Sequence, residues 1–317
     1  MTSHRETKFD QLTEKTWRLV EVLADSTLEK PLPVPLHELA RELNIRFIQF
    51  EPLLGTAGLV KIKDGFAIMV NTEAPGATQK KSTILNTNSD DWDELKPPLR
   101  FTVAHEIAHV LYFNAAEGKW RNDIFDRHAK KLESECSKMA RVILIPKQRL
   151  HEEIKNHIFD VEHIRKLLHK FCVSAEVYVR RLQLLDIESL YKNTSGLLAF
   201  AQEQKGSIRF KACRLWGIRA RSRFGTPPKS TQKSLPLSAE YSKSHDNDTN
   251  YPEGHSLEEV ISIPEVEALL RQEGRIQREI EVPCAHDKSM NCIINCHQTN
   301  KSPPSFLVAI EIIGSLI

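Results

Sequence analysis

His105-Glu106-Ile107-Ala108-His109 sets two imidazoles and a carboxylate at a spacing suited to a hydrolytic metal site. On a helix, residues i and i+4 project from one face about one turn apart, so both imidazoles can reach a single ion. Glu106 is one residue on, rotated ~100° around the same helix, which stands it beside that ion rather than on it. Zinc lowers the pKa of a bound water towards ~7, and a neighbouring carboxylate can take its proton as the oxygen attacks a peptide carbonyl. The competing reading is a core helix whose histidines are satisfied by backbone or carboxylate partners.

The element carrying these residues favours the site. From 101 to 113 the chain reads FTVAHEIAHVLYF. Its polar side chains are Thr102, His105, Glu106, His109 and Tyr112, which fall within one stripe about 120° wide. The rest of the circumference is apolar, whereas a surface helix is polar over most of it. The helix is therefore expected to be buried, with the stripe lining a site. Imidazoles and a carboxylate in such a place are costly unless paired or metal-bound.

A catalytic zinc needs a third protein ligand and an open position. Residues 128 to 146, HAKKLESECSKMARVILIP, predict a second helix ended by Pro146. Leu132, Cys136, Met139 and Ile143 form its apolar stripe. Two carboxylates are available, Glu133 and Glu135. Glu135 lies on the edge of the stripe, four residues before Met139. Glu133 lies four before Ser137 and eight before Arg141, nearer the side read as solvated, where it would be a surface charge near Lys130. Periodicity favours Glu135 as the ligand.

LRFTVAHEIAHVLYF followed by ESECSKMARVILIP resembles the ImmA/IrrE metallopeptidase family, whose pattern is R-F-T-x-A-H-E-x-x-H and then E-x-E-A-N-x-F-A-x-x-L-L-x-P. Arg100, Phe101, Thr102 and Ala104 match the lead-in. Aligned on Pro146, the resemblance implies Glu135 as the zinc-ligand glutamate, beside His105 and His109, with Glu106 as the base. Cys136 and Ser137 replace the usual Ala-Asn pair and Met139 replaces Phe, changes expected to alter packing beside the ligand. Upstream, PLHELARELNIRFIQFEP and GLVKIKDGFAIMVN are similar to the family's small helix and hairpin. Downstream, IRKLLHKFCVSAEVYVRRLQLL is similar to the helical segment after its core. About the first 190 residues are covered.

Around these elements, residues 9–26 and 36–44 have helical periodicity. Residues 59–62 and 66–70 are expected as strands joined through Lys63-Asp64-Gly65. By the resemblance, the 65–71 arm is a candidate for binding an extended substrate by strand addition. Residues 73–92 read as a loop. Residues 161–185 hold two short helical patterns around Cys172-Val173-Ser174. They are expected to cap the core rather than to bind DNA, since Arg180 and Arg181 are a thin basic footprint. Beyond 190, an alternating hairpin turns at Lys205-Gly206, strands are expected at 275–282 and 306–313, and residues 225–257 are expected as a flexible loop.

Composition limits the alternatives. A net charge of +2 predicts neither a strongly basic nor a strongly acidic partner surface. The amino-terminal residues MTSHRETKFD lack the apolar core of a secretion signal, and no run reaches the ~20 apolar residues of a membrane helix. Six cysteines point to reduced thiols in a cytoplasmic protein. Cys284, Cys292, Cys296 and His297 could be tested as a second metal site, but Cys292 and Cys296 read better as small apolar residues in a strand.

The expected fold is α+β: a minimal zincin-like, gluzincin-type core over 1–150, an HTH-like helical segment over 151–190, and an α+β module over 191–317, similar to the GAF-like domain of some family members. The resemblance implies a cytoplasmic zinc endopeptidase cleaving a helix-turn-helix transcriptional repressor, and so derepressing stress-response or mobile-element genes. Two histidines and a glutamate suit zinc, and could also hold manganese or iron. A donor to the oxyanion is also expected; Tyr112 and His128 are the nearby candidates. The rival is a regulatory protein that sequesters a repressor or toxin without cutting it. Membrane association and direct nucleic-acid binding are not expected.

Overall fold

A computed structural model describes residues 8–75, 77, 84–88, 90–92, 94–118, 125–154, 160–185, 196–204, 207–216, 275–284, 288–301 and 304–312. The architecture is mixed α+β, in two compact units: Met1–Glu153 with Leu167–Arg181, and Ile154–Lys166 with Leu182–Ile317. The loop expected at 225–257 lies outside the described residues.

The first unit is built around the helix of the H-E-x-x-H run, α3 (Pro97–Ala115), which follows α1 (Lys8–Asp25) and α2 (Leu36–Glu42). Pro97 and Pro98 open α3, where the missing N–H groups cost nothing because the first turn has no acceptors for them. The helix is buried nearly all round: Val103, Ala104, Ile107, Ala108, Val110 and Tyr112 are fully enclosed. Each large apolar side chain so enclosed contributes about 1.5–3 kcal/mol. Packed on α3 are α1 and α4 (Ala129–Leu144). The buried residues of α1, Phe9, Thr16, Val20, Leu23 and Ala24, recur at helical spacing.

A four-stranded sheet completes this unit, in the order β2-β3-β1-β4. Its strands are β1 (Ile45–Glu51), β2 (Ala57–Ile62), β3 (Gly65–Asn71) and β4 (Ile84–Asn86). The β2–β3 hairpin closes with Ile62 opposite Gly65, leaving Lys63 and Asp64 as the turn. Gly65 has φ 141°, and a Cβ there would sit 2.0 Å from the Asn44 carbonyl oxygen. No other residue fits. Two expectations are corrected here. Residues 73–92 are not all loop, since β4 lies antiparallel to β1 and a 3-10 turn, Asp90–Trp92, buries Trp92. The 65–71 arm cannot add a substrate strand, because β3 is paired with β2 on one side and with β1 on the other. Its backbone groups are already in ladders, so among the described residues the edges open to an extended peptide are β2 and β4.

After α4 come α5 (Lys147–Ile154), α6 (Val161–Phe171) and α7 (Ala175–Gln183). Cys172 takes φ 51° between the last two. Arg181 is 3% exposed and donates from Nε to the Ile145 carbonyl at 2.8 Å; burial pushes its pKa down to about 10. Arg180 is paired with Glu176 at 2.9 Å. A guanidinium enclosed in this way ties α7 to the end of α4 and is not offered to a phosphate. Arg181→Ala is therefore expected to lower unfolding free energy by about 1–3 kcal/mol in urea melts, the cost of the orphaned carbonyl and lost packing. Binding to a generic DNA duplex should not change.

In the second unit, β5 (Gly196–Gln204), β6 (Ser207–Trp216), β7 (Arg275–Cys284), β8 (Lys288–Lys301) and β9 (Pro304–Ile312) form an antiparallel sheet in the order β6-β5-β9-β8-β7. Residues 305–310 of β9 are buried in succession, so this strand is covered on both faces. Cys292 and Cys296 lie four residues apart on β8, about 13 Å along the strand, too far to share one ion. Cys296 is buried, with a thiol pushed up to about 12. Among the described residues no helix is long and apolar enough to cross a membrane.

Candidate metal centre

His105 and His109 stand one turn apart on α3, and their rings converge: Nε2 of one lies 3.2 Å from Nε2 of the other. Glu133, on α4, closes the triangle. Its Oε2 lies 3.0 Å from His105 Nε2 and its Oε1 3.3 Å from His109 Nε2. The three ligand atoms fall within 4.8 Å of one another. A tetrahedral ion with bonds of about 2.0–2.1 Å holds its ligands about 3.3–3.4 Å apart along each edge, so this triangle fits a zinc-sized ion. The two imidazoles hold the Glu133 carboxyl well below the usual carboxylate range, which keeps it ionised as a ligand must be.

Glu135 does not join them. Its Oε1 accepts from Lys138 Nζ at 2.7 Å and its Oε2 from Trp17 Nε1 at 3.0 Å, so it fastens α4 to α1. The structure thus brings Glu133, and not the expected Glu135, to the two histidines. The physical reason lies in which residues mark the solvated side of α4. Ser137 and Arg141 are polar, yet Ser137 Oγ lies 3.3 Å from His105 Nδ1 and Arg141 is buried over the Phe101 ring. Glu133 precedes Cys136 and Ser137 by three and four residues, and so shares their face. Its side chain is 59% exposed, whereas that of Glu135 is 12% exposed.

Glu106 lies on the same helix as the two histidines. It is 6% exposed on the α3 stripe beside both histidines. Burial pushes its carboxyl up, opposed by the His109 and His105 charges. A carboxylate raised in this way is a better proton acceptor. The two residues named for the oxyanion, Tyr112 and His128, both contact α1. Tyr112 is fully buried, its phenol raised by burial and donating to Thr13 Oγ1 at 3.1 Å. His128 stacks on Phe9 with ring centroids 4.7 Å apart.

Two further groups stand behind the rings. Cys136 Sγ lies 3.6 Å from His109 Nδ1, and Ser137 Oγ occupies the equivalent place at His105. Their i+3 and i+4 spacing from Glu133 is the signal that could have found them.

Residues 95–183 match the peptidase M78 family model described as the IrrE N-terminal-like domain. The match begins just before α3, ends with α7, and includes all of the residues of the cluster. A comparison with curated proteins gives no match. Among solved structures, a Mycobacterium tuberculosis transcriptional regulator is similar at 13% identity and a TM-score of 0.49, over 96% of this chain and 82% of that one.

Proposed function

We propose that this chain, which carries an IrrE N-terminal-like domain of the ImmA/IrrE family over residues 95–183, is a zinc-dependent endopeptidase. The observation that supports this most is the convergence of His105, His109 and Glu133 on one point, with the buried Glu106 beside it. A set that only bound a metal would have no need of a carboxylate held next to the ligands with a raised affinity for protons.

In this reading His105 and His109 hold the ion through Nε2 and Glu133 through its carboxylate, leaving one coordination position open. When bound, zinc supplies Lewis acidity, which activates water near neutral pH and polarises the scissile carbonyl. Glu106 takes the proton released as the water oxygen bonds to the carbonyl carbon. It then returns that proton to the leaving amine nitrogen as the C–N bond breaks. Trp17, Lys138 and Glu135 keep α4 in register so that Glu133 stays opposite the histidines. The core is read as zincin-like of the gluzincin type, and the antiparallel sheet of the second unit as a GAF-like module.

The substrate is proposed to be a helix-turn-helix transcriptional repressor, cut in the cytoplasm to release stress-response or mobile-element genes. Incubating the zinc-loaded protein with candidate repressors from its own genome should give discrete fragments by mass spectrometry, abolished by a chelator and restored by zinc. Relief of repression without fragments, by wild type and Glu106→Gln alike, would replace cleavage with sequestration.

A further inference from the structure

We infer that Ser137 is a positioning residue that orients the His105 imidazole for metal, with Cys136 doing the same for His109. This rests on the metal-centre reading above.

The two histidines present Nε2 to each other and to Glu133, so the ring nitrogens left over are the two Nδ1 atoms. An imidazole that donates its Nε2 lone pair to a cation is neutral, and its proton must then sit on Nδ1. That proton needs an acceptor. Ser137 Oγ lies 3.3 Å from His105 Nδ1, and Cys136 Sγ lies 3.6 Å from His109 Nδ1. With metal bound, each Nδ1–H donates to the oxygen or sulfur behind it, which holds the ring plane with its lone pair aimed at the ion. A mid-helix serine often turns its hydroxyl back to the carbonyl four residues earlier. Here it faces the ring instead.

All three groups come from one turn of α4: Glu133 supplies the ligand oxygen, and the residues three and four further on support the two ligand rings. The same turn therefore fixes both the distance and the orientation of the site. The hydroxyl is the stronger acceptor and the thiol the weaker, so Ser137 carries more of the effect.

Partners of this kind typically change metal affinity by roughly 10–100-fold when removed. Competition of the full-length protein with a chromophoric zinc chelator should show Ser137→Ala binding zinc roughly 10–100-fold more weakly than wild type. Ser137→Thr, which keeps the hydroxyl, should recover most of it, and Cys136→Ala should cost less than Ser137→Ala. In the zinc-loaded protein, nitrogen-15 NMR of the imidazoles should show a slowly exchanging His105 Nδ1 proton in wild type and Ser137→Thr, exchanging faster in Ser137→Ala. Zinc binding by wild type, with unchanged affinity and unchanged exchange in Ser137→Ala, overturns the positioning role alone. No zinc binding by wild type overturns the metal centre itself and this inference with it.

Discussion

Glu106→Gln is expected to leave zinc bound and to lower kcat/KM for cleavage by about 10²–10⁴-fold. Gln has the shape of Glu, so the packing of α3 is preserved, but its amide cannot accept a proton at neutral pH. The side chain is 6% exposed and projects beside the histidines, not onto the point where they meet Glu133. Its loss should therefore remove proton transfer without removing a ligand. Replacing a carboxylate that burial already pushes towards its neutral form should not destabilise the metal-free fold. Cleavage at the wild-type rate by Glu106→Gln would remove it from the reaction.

Glu133→Ala and Glu135→Ala should separate ligand from scaffold, although the two residues are one position from adjacent. Without Glu133 only two imidazoles remain, and zinc affinity should fall by about three orders of magnitude or more. Its stability cost should be small, because the side chain is 59% exposed. Without Glu135, the partly enclosed Lys138 ammonium and the Trp17 indole N–H both lose their acceptor. That should lower unfolding free energy by about 2–4 kcal/mol while zinc affinity stays near wild type. Paired zinc titrations and urea melts would read both effects. A stable, metal-binding Glu133→Ala beside a metal-free, folded Glu135→Ala would reverse the assignment.

The sequence and the structure agree best where one helix carries the pattern. His105, Glu106 and His109 are legible because their spacing is fixed by a single backbone, and the apolar remainder of 101–113 announces that the helix is buried. Which α4 carboxylate meets the histidines is less legible, since that depends on how α4 is rotated against α3, a relation between two helices that neither periodicity contains. Polar residues on a helix ordinarily mark solvent, but Ser137 and Arg141 are turned inward, one to a histidine and one to Phe101. The central strand β1 was obscured in NIRFIQFEP because it follows directly on α2, and β4 because three residues in a polar stretch carry no period. The exclusion of β3 as a substrate edge follows from strand order, which local sequence does not encode.

Zinc content per chain, measured by elemental analysis on wild type, Glu133→Ala and Glu135→Ala after zinc loading and desalting, tests the site most directly. About one zinc in wild type and in Glu135→Ala, with almost none in Glu133→Ala, is the expected result. A wild type that retains no zinc, or a Glu133→Ala that retains as much as wild type, would contradict the centre formed by His105, His109 and Glu133.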